Sequence, residues 1–269
     1  MGHARQETRD YLMKFKSLPA LSYVALVYLF FYVPIVILII YSFNNSQYSL
    51  LWHGFTWQWY TELFADSDLW MATWHSFFLG IAAATIAAGI GLLAAVSLYR
   101  YRFFGRQFLN SLIFILILSP EIVTGASLLI LFTFLQLHLG FWSLLFSHIT
   151  FCIPFVIVTT YSRLVSVDKN IFEAAKDLGA NDTLIFLRII LPLLWPAIFA
   201  GWLLSFTLSL DDVIISYFVT GPEFEILPLR IYSMVRAGVR PEINALCTVL
   251  FTFTLFFIVL SQLALRKKA

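Results

Sequence analysis

Three carboxylates stand in stretches that otherwise contain almost nothing polar. Glu121 follows Pro120 in one apolar run, and Asp211 and Asp212 are adjacent in another. A bare carboxylate at the centre of a bilayer costs about 2.5–3.5 kcal/mol on insertion scales, so such acids face protein or a water-filled path. On a helix, neighbouring residues point about 100° apart, and the two aspartates cannot share one direction. Ser205, Ser209 and Asp212, however, stand at i, i+4 and i+7 and make one polar stripe. Two hydroxyls and a carboxylate suit a cation with several amine donors, because ammonium–carboxylate hydrogen bonds are among the stronger ones away from bulk water. The alternative for each acid is an arginine of a partner subunit, or protonation. Loss of cation binding on Asp211→Asn or Asp212→Asn is the outcome the first reading expects.

A second group lies between Asn44 and Trp70, a segment with no lysine or arginine, four tryptophans (Trp52, Trp57, Trp59, Trp70) and the acids Glu62, Asp66 and Asp68. If helical, Phe55, Trp59, Glu62 and Asp66 share a face at i, i+4, i+7 and i+11. That face joins an indole, which attracts ammonium groups, to two acids. Trp59 is either such a contact or an interfacial anchor. His53, His75, His138 and His148 show no ligand spacing and read as interfacial or packing residues.

These residues need elements to hold them, and composition says which. Of 269 residues, 61% are apolar, 18% aromatic and 12% charged, against roughly 45–50% apolar and 25% charged in soluble domains. The chain is a polytopic membrane protein, all-α, with neither a watery surface nor the composition of a disordered chain. A net charge of +2 argues for no nucleic-acid partner. Cys152 and Cys247 lie in apolar runs and read as free buried thiols. No lysine follows a glycine, so the chain has no phosphate-binding loop of the Gly-Lys-Ser/Thr kind.

About 20 apolar residues cross a hydrocarbon core, and six stretches qualify: about Leu21–Phe43, Trp74–Leu98, Phe108–Leu135, Phe141–Tyr161, Pro192–Val219 and Asn244–Leu265. The first is too long for a signal peptide and is expected to remain as a helix. The membrane domain is therefore predicted over 21–265, with tails at 1–20 and 266–269. Fourteen of the 17 lysines and arginines fall on one side: Arg5, Arg9, Lys14 and Lys16; Arg100, Arg102 and Arg106; Arg163, Lys169, Lys176 and Arg188; Arg266, Lys267 and Lys268. Arg230, Arg236 and Arg240 fall on the other. Both termini are expected in the cytoplasm. Gly80, Ala84, Ala88, Gly91 and Ala95 form a small-residue stripe that reads as helix packing. Pro34, Pro120, Pro154 and Pro196 lie within or at the start of spans, where neighbours can satisfy the freed carbonyls.

The loop 162–191 is the only sizeable cytoplasmic feature. Asn170 and Glu173 have capping-box spacing, Gly179 suits a left-handed helix end, and Asn181 or Asp182 can cap a second helix running toward Pro192. Two short helices at right angles are expected. Glu173-Ala174-Ala175, three residues, Gly179, nine residues, Ile189, one residue and Leu191-Pro192 match the EAA signature at every defining position. The chain thereby resembles the permeases of ABC importers. The segments Tyr99–Arg102, Leu139–Phe151, Ser205–Asp212 and Phe218–Pro222 are similar to permeases of spermidine/putrescine importers, and the likeness covers most of the chain beyond about Ser22.

The resemblance implies a type I ABC importer permease (MetI-like) fold with six transmembrane helices in a bacterial inner membrane. It implies a second homologous permease, two copies of an ATP-binding subunit, a periplasmic polyamine-binding protein and surrounding lipid. ATP and Mg would be bound by the partner ATPase, with no cofactor and no catalysis in this chain. It assigns ATPase coupling to Glu173, Ala174, Ala175, Gly179, Asp182, Ile189 and Pro192 and favours transport roles for Glu121, Asp211 and Asp212; Ser209, from the stripe, and Trp59, from the outer segment, join the substrate path on residue chemistry. A linear polyamine, with ammonium groups separated by methylenes, would match separated carboxylates with aromatic walls between them. The same machinery with another cargo (thiamine, iron or an anion), an ion-coupled carrier working alone, and a passive membrane anchor are the rivals. Acidic intramembrane residues disfavour anions, and no internal repeat supports the carrier.

Overall fold

The computed structural model describes residues 2–46, 51–168, 170–238 and 241–266, with side chains from 21 to 256 within those ranges. Lys169, Arg240, Lys267 and Lys268 lie outside the described residues. The side chains of Arg5, Arg9, Lys14, Lys16 and Arg266 lie outside the described side chains. The described part is helical, with no strand longer than a single bridge pairing Asn44 with Phe55. Two compact units divide the chain.

The first unit comprises residues 1–66 and 234–269. It holds α1 (Gly2–Tyr41), α2 (Gln58–Ala65) and α12 (Pro241–Arg266), with α12 packed on both others. The expected face of the outer segment does not form, because Phe55 precedes the helix and Trp57 is its N-cap. The segment is pinned from inside. The Trp59 indole is buried (5% exposed), and its N–H donates to the Asn44 carbonyl at 2.8 Å. Phe43 stacks on Phe55, with centroids 5.1 Å apart, and also meets Trp57 and Tyr60.

The second unit runs from 67 to 233. Its frame is α3 (Ser67–Arg100), α6 (Phe141–Val165) and α9 (Leu191–Asp211), mutually packed. The small-residue stripe does what its spacing predicts. Ala84, Ala88 and Ala95 are buried, and a Cβ on Gly91 would lie 2.6 Å from Val156 Cγ1. Gly201 of α9 presses on Val156 in the same way, with Cβ to Cα at 3.3 Å, so α6 is gripped on two sides by small residues.

Among the described residues, four helical stretches are long and apolar enough to cross a membrane: Leu21–Tyr41, Ser67–Arg100, Phe141–Val165 and Asp182–Asp211. The expected third span differs. It is a pair, α4 (Arg106–Leu118) and α5 (Glu121–Phe134), bent by 115° at Ser119–Pro120. Proline has no N–H to continue the ladder, and it drives the residue before it into extended backbone, here Ser119 at φ −68°, ψ 132°. The sixth expected stretch falls in α12, whose described apolar part is Pro241–Phe256.

The fifth span is also broken. Its helix α9 ends at Asp211, Asp212 is extended (φ −69°, ψ 120°), and α10 (Ile214–Val219) restarts the turn. The stripe Ser205–Ser209–Asp212 is therefore not one helical face. After α10 the chain passes through Gly221, where a Cβ would strike the Leu139 carbonyl oxygen. That obstacle is backbone and cannot rotate away. Gly221→Ala is expected to destabilise the unit by roughly 1–3 kcal/mol, read as a lower Tm in detergent and weaker accumulation; an unchanged Tm would contradict this packing.

Candidate functional site: a solute cavity and a coupling loop

The two breaks converge. A cavity of about 150 Å3 is lined by Leu116, Ile117 and Ser119 from the first break, and by Glu121 and Thr124 of α5. Its other walls are Phe151 and Phe155 of α6, Leu208 and Asp211 of α9, Asp212 and Ile215. All three intramembrane acids reach this one space, and each sits at a break: Glu121 begins α5, Asp211 ends α9, and Asp212 links α9 to α10. Discontinuous helices leave end groups and polar side chains at depth without opening the whole bundle.

The acids are not equivalent. Glu121 and Asp211 are exposed within the isolated chain, whereas Asp212 is 8% exposed. The Asp212 carboxylate accepts from the Ile215 N–H (3.2 Å), the Ser216 N–H (2.8 Å) and the Ser216 hydroxyl (2.6 Å). It caps α10 in the manner of a helix-starting aspartate. Ser209, expected on the substrate path, is buried and hydrogen-bonded to His148 Nδ1 at 2.6 Å, and it is not among the residues lining the cavity. Trp59 is engaged within the first unit, its N–H already donated to Asn44. Nothing local in the sequence singles out Phe151, Phe155 or Thr124, and His148 reads there as an interfacial or packing residue. Their signal was weak: two phenylalanines one turn apart on α6 resemble any apolar pair.

The loop 162–191 is built as its spacing predicts, with two differences. Helix α7 (Asn170–Asp177) ends in a Schellman motif: the Ala180 N–H donates to Ala175 O (3.0 Å) and the Gly179 N–H to Lys176 O (2.8 Å), with Gly179 at φ 81°. Asn181 Oδ1 caps α8 (Asp182–Ile185) by accepting from the Leu184 N–H at 2.8 Å. The start of α7 is held by Asp168, whose carboxylate accepts the Asn170 N–H at 3.0 Å, and not by an Asn170–Glu173 box. Nor is α8 a separate short helix. It continues through a π-helical turn, Phe186–Ile190, into α9. The wider turn accommodates Pro192, which cannot bond the Arg188 carbonyl four residues back.

The loop is also part of the core. Ala175, Ile185 and Ile190 are buried in one cluster with Ala88, Leu92 and Val96 of α3, Val156 of α6 and Leu194 of α9, and Ile189 packs against it. Arg100 at the end of α3 forms an ion pair with Asp182. Glu173, Ala174 and Leu178 stay exposed, Leu178 at 89%. One side of this loop is fused to the spans, and the other is bare.

Residues 87–267 match the family described as binding-protein-dependent transport system inner membrane component. The chain belongs to that family. It is 54% identical over 247 residues to the spermidine/putrescine transport system permease protein PotC of Escherichia coli K12, covering 92% of this chain and 94% of that one. Identity to the Haemophilus influenzae protein of the same name is 51%, over 91% of this chain and 96% of the relative. The putrescine transport system permease protein PotI of E. coli K12 is 44% identical, over 82% and 81%. Among solved structures, a bacterial ABC transporter that imports alginate matches with a TM-score of 0.71 at 17% identity, covering 94% of this chain and 96% of its own. That likeness establishes the permease fold. As a family member the chain is a membrane transport component and not an enzyme, and its bare, core-anchored loop lies inside the matched region.

Proposed function

We propose that this chain is the inner-membrane permease subunit of an ATP-driven polyamine importer, forming half of a pathway completed by a second homologous permease. The observation that carries the reading is the cavity in which Glu121, Asp211 and Asp212 meet beside Phe151 and Phe155. Carboxylates provide for ammonium groups, and aromatic walls provide for the methylenes and for cation–π contact. Relatives named for spermidine and putrescine support that cargo over thiamine, iron or an anion.

A dimeric ATPase grips the exposed side of the loop 162–191, through Glu173, Ala174, Gly179 and their neighbours, and holds ATP and Mg itself. Because Ala175, Ile185 and Ile190 are buried with the spans, a push on the loop is delivered to α3, α6 and α9 as a unit. The ATPase must bind the outward-facing arrangement more tightly than the inward one, or no transport is driven. A periplasmic binding protein delivers the polyamine, and both termini lie in the cytoplasm.

Affinity purification of the tagged full-length chain from membranes is expected to bring an ATP-hydrolysing subunit and a second permease. Proteoliposomes of that assembly, given the binding protein, should take up radiolabelled putrescine or spermidine only with ATP inside or outside as orientation dictates. Uptake by this chain alone on an ion gradient would overturn the reading.

A further inference from the structure

His148 has no exposed surface, and neither of its ring nitrogens is idle. It sits on α6, the helix clamped between the small residues of α3 and α9, with Leu144, Leu145, Ile149 and Cys152 buried around it. Nδ1 lies 2.6 Å from the Ser209 hydroxyl, in the last turn of α9, and Nε2 lies 3.0 Å from the Ser216 hydroxyl, in α10. One imidazole therefore bridges the α9–α10 break from a third helix.

The hydrogen bonds have a forced direction when the carboxylate is ionised and the ring is neutral. Asp212 only accepts, so the Ser216 O–H points to it. The Ser216 oxygen then receives the Nε2–H of His148, which leaves Nδ1 bare to accept the Ser209 O–H. Ser209, His148, Ser216 and Asp212 form one oriented chain ending at the cavity wall. Helical bonding is interrupted between Asp211 and Ile214, and there the Asp212 carboxylate is held by the Ile215 and Ser216 N–H groups and the Ser216 hydroxyl, with His148 Nε2 3.8 Å away. A ring of the same size without nitrogens would leave two buried hydroxyls short of a partner and free Ser216 to turn away.

We infer that His148 is a positioning residue of the solute path, fixing the α9–α10 break from α6 and, through Ser216, the direction of the Asp212 carboxylate. This rests on the proposal that the cavity acids bind the solute.

The test uses the complete purified transporter without its binding protein, and reads the Kd for radiolabelled spermidine alongside Tm and subunit stoichiometry. His148→Phe is expected to weaken binding about tenfold in an assembly of normal stoichiometry, the size of one charge-assisted contact misdirected. His148→Gln, whose amide nitrogen can stand in for Nε2, should restore Kd to within about threefold of the parent. Ser216→Ala, which breaks the chain from the other side, should reproduce the His148→Phe effect. His148→Phe combined with Asp212→Asn should bind no worse than Asp212→Asn alone, whereas combination with Glu121→Gln should multiply the losses. A His148→Phe protein that loses Tm but keeps Kd, or losses that multiply with Asp212→Asn, would overturn the inference. Should His148→Phe fail to assemble, the Gln and Ser216→Ala variants decide it by the same criteria. If Glu121→Gln and Asp212→Asn themselves leave Kd unchanged, the fault lies in the cavity reading and not in the assignment of His148.

Discussion

Glu173→Arg is expected to abolish ATP-driven uptake, by about a hundredfold or more, and to release the ATP-hydrolysing subunit from the purified assembly; opposed like charges or a lost buried ion pair at an interface cost several kcal/mol, where 1.4 kcal/mol is tenfold. The chain itself should remain folded. Glu173 is exposed, and α7 is held by Asp168 at its start, by Ala175 in the core and by the Schellman turn at its end. Exposed substitutions away from such features usually cost within about 0.5 kcal/mol. The prediction separates grip from shape, and two further variants make that separation visible. Gly179→Val forces a branched side chain into φ 81° and should lower both Tm and coupling. Leu178→Ser removes an 89%-exposed leucine and should lower coupling alone, because nothing inside the chain leans on it. Full uptake by Glu173→Arg, with the ATPase still attached, would show that the bare side of the loop is not the handle.

Much of this architecture is written in the sequence, and the reasons differ by feature. Apolar runs announce spans because side chains facing hydrocarbon must be apolar for about 20 residues, where the backbone satisfies its own hydrogen bonds as a helix. The loop is legible to a single residue at Gly179 and to two neighbours at the next cap, Asn181 or Asp182, of which Asn181 caps, since a left-handed helix end and a side-chain cap are local demands that few residue types meet. The start of α7 is ambiguous in the sequence for the same kind of reason. Asp168 and Asn170 both can cap, and the choice between two acceptors two residues apart is made by the surrounding packing.

The helix breaks show the limit more sharply. Pro154 and Pro196 lie inside continuous helices, while Pro120 sits at a 115° bend, and nothing in the proline itself distinguishes them. What decides is whether neighbours can satisfy the freed groups, which is a tertiary property. Asp212 carried a readable signal, an aspartate followed by Ile215 and Ser216 whose N–H groups it caps, yet the helical stripe with Ser205 and Ser209 was the stronger pattern and was wrong past Asp211. His148 could not have been found. Its partners lie 61 and 68 residues away, and no spacing within one helix encodes that meeting.

Glu121→Gln together with Asp211→Asn is expected to raise the spermidine Kd of the assembled transporter by about a hundredfold or more, each single change contributing about tenfold; a hydrogen bond to a charged group is worth roughly 1.5–3 kcal/mol. Both changes keep side-chain volume, and both residues are exposed in the isolated chain, so packing is not at stake. The two acids also differ from Asp212 in having no capping duty printed into the local backbone. Asp212→Asn removes the charge and keeps one acceptor oxygen, for the Ile215 N–H or the Ser216 N–H, which meet different carboxylate oxygens, while Asp212→Ala removes charge and cap together and should lower Tm further. Charge number in the solute gives an independent reading of the same site. If Glu121 and Asp211 each meet an ammonium group, neutralising one should cost a diamine and a triamine unequally, the shorter chain losing more because it has fewer amines to redistribute. A neutral, equally long solute should gain from the double change instead, since its entry no longer strips water from two carboxylates. Equal losses for charged and neutral solutes, or none for either, would remove the acids from the path and leave the cavity a packing defect between two broken helices.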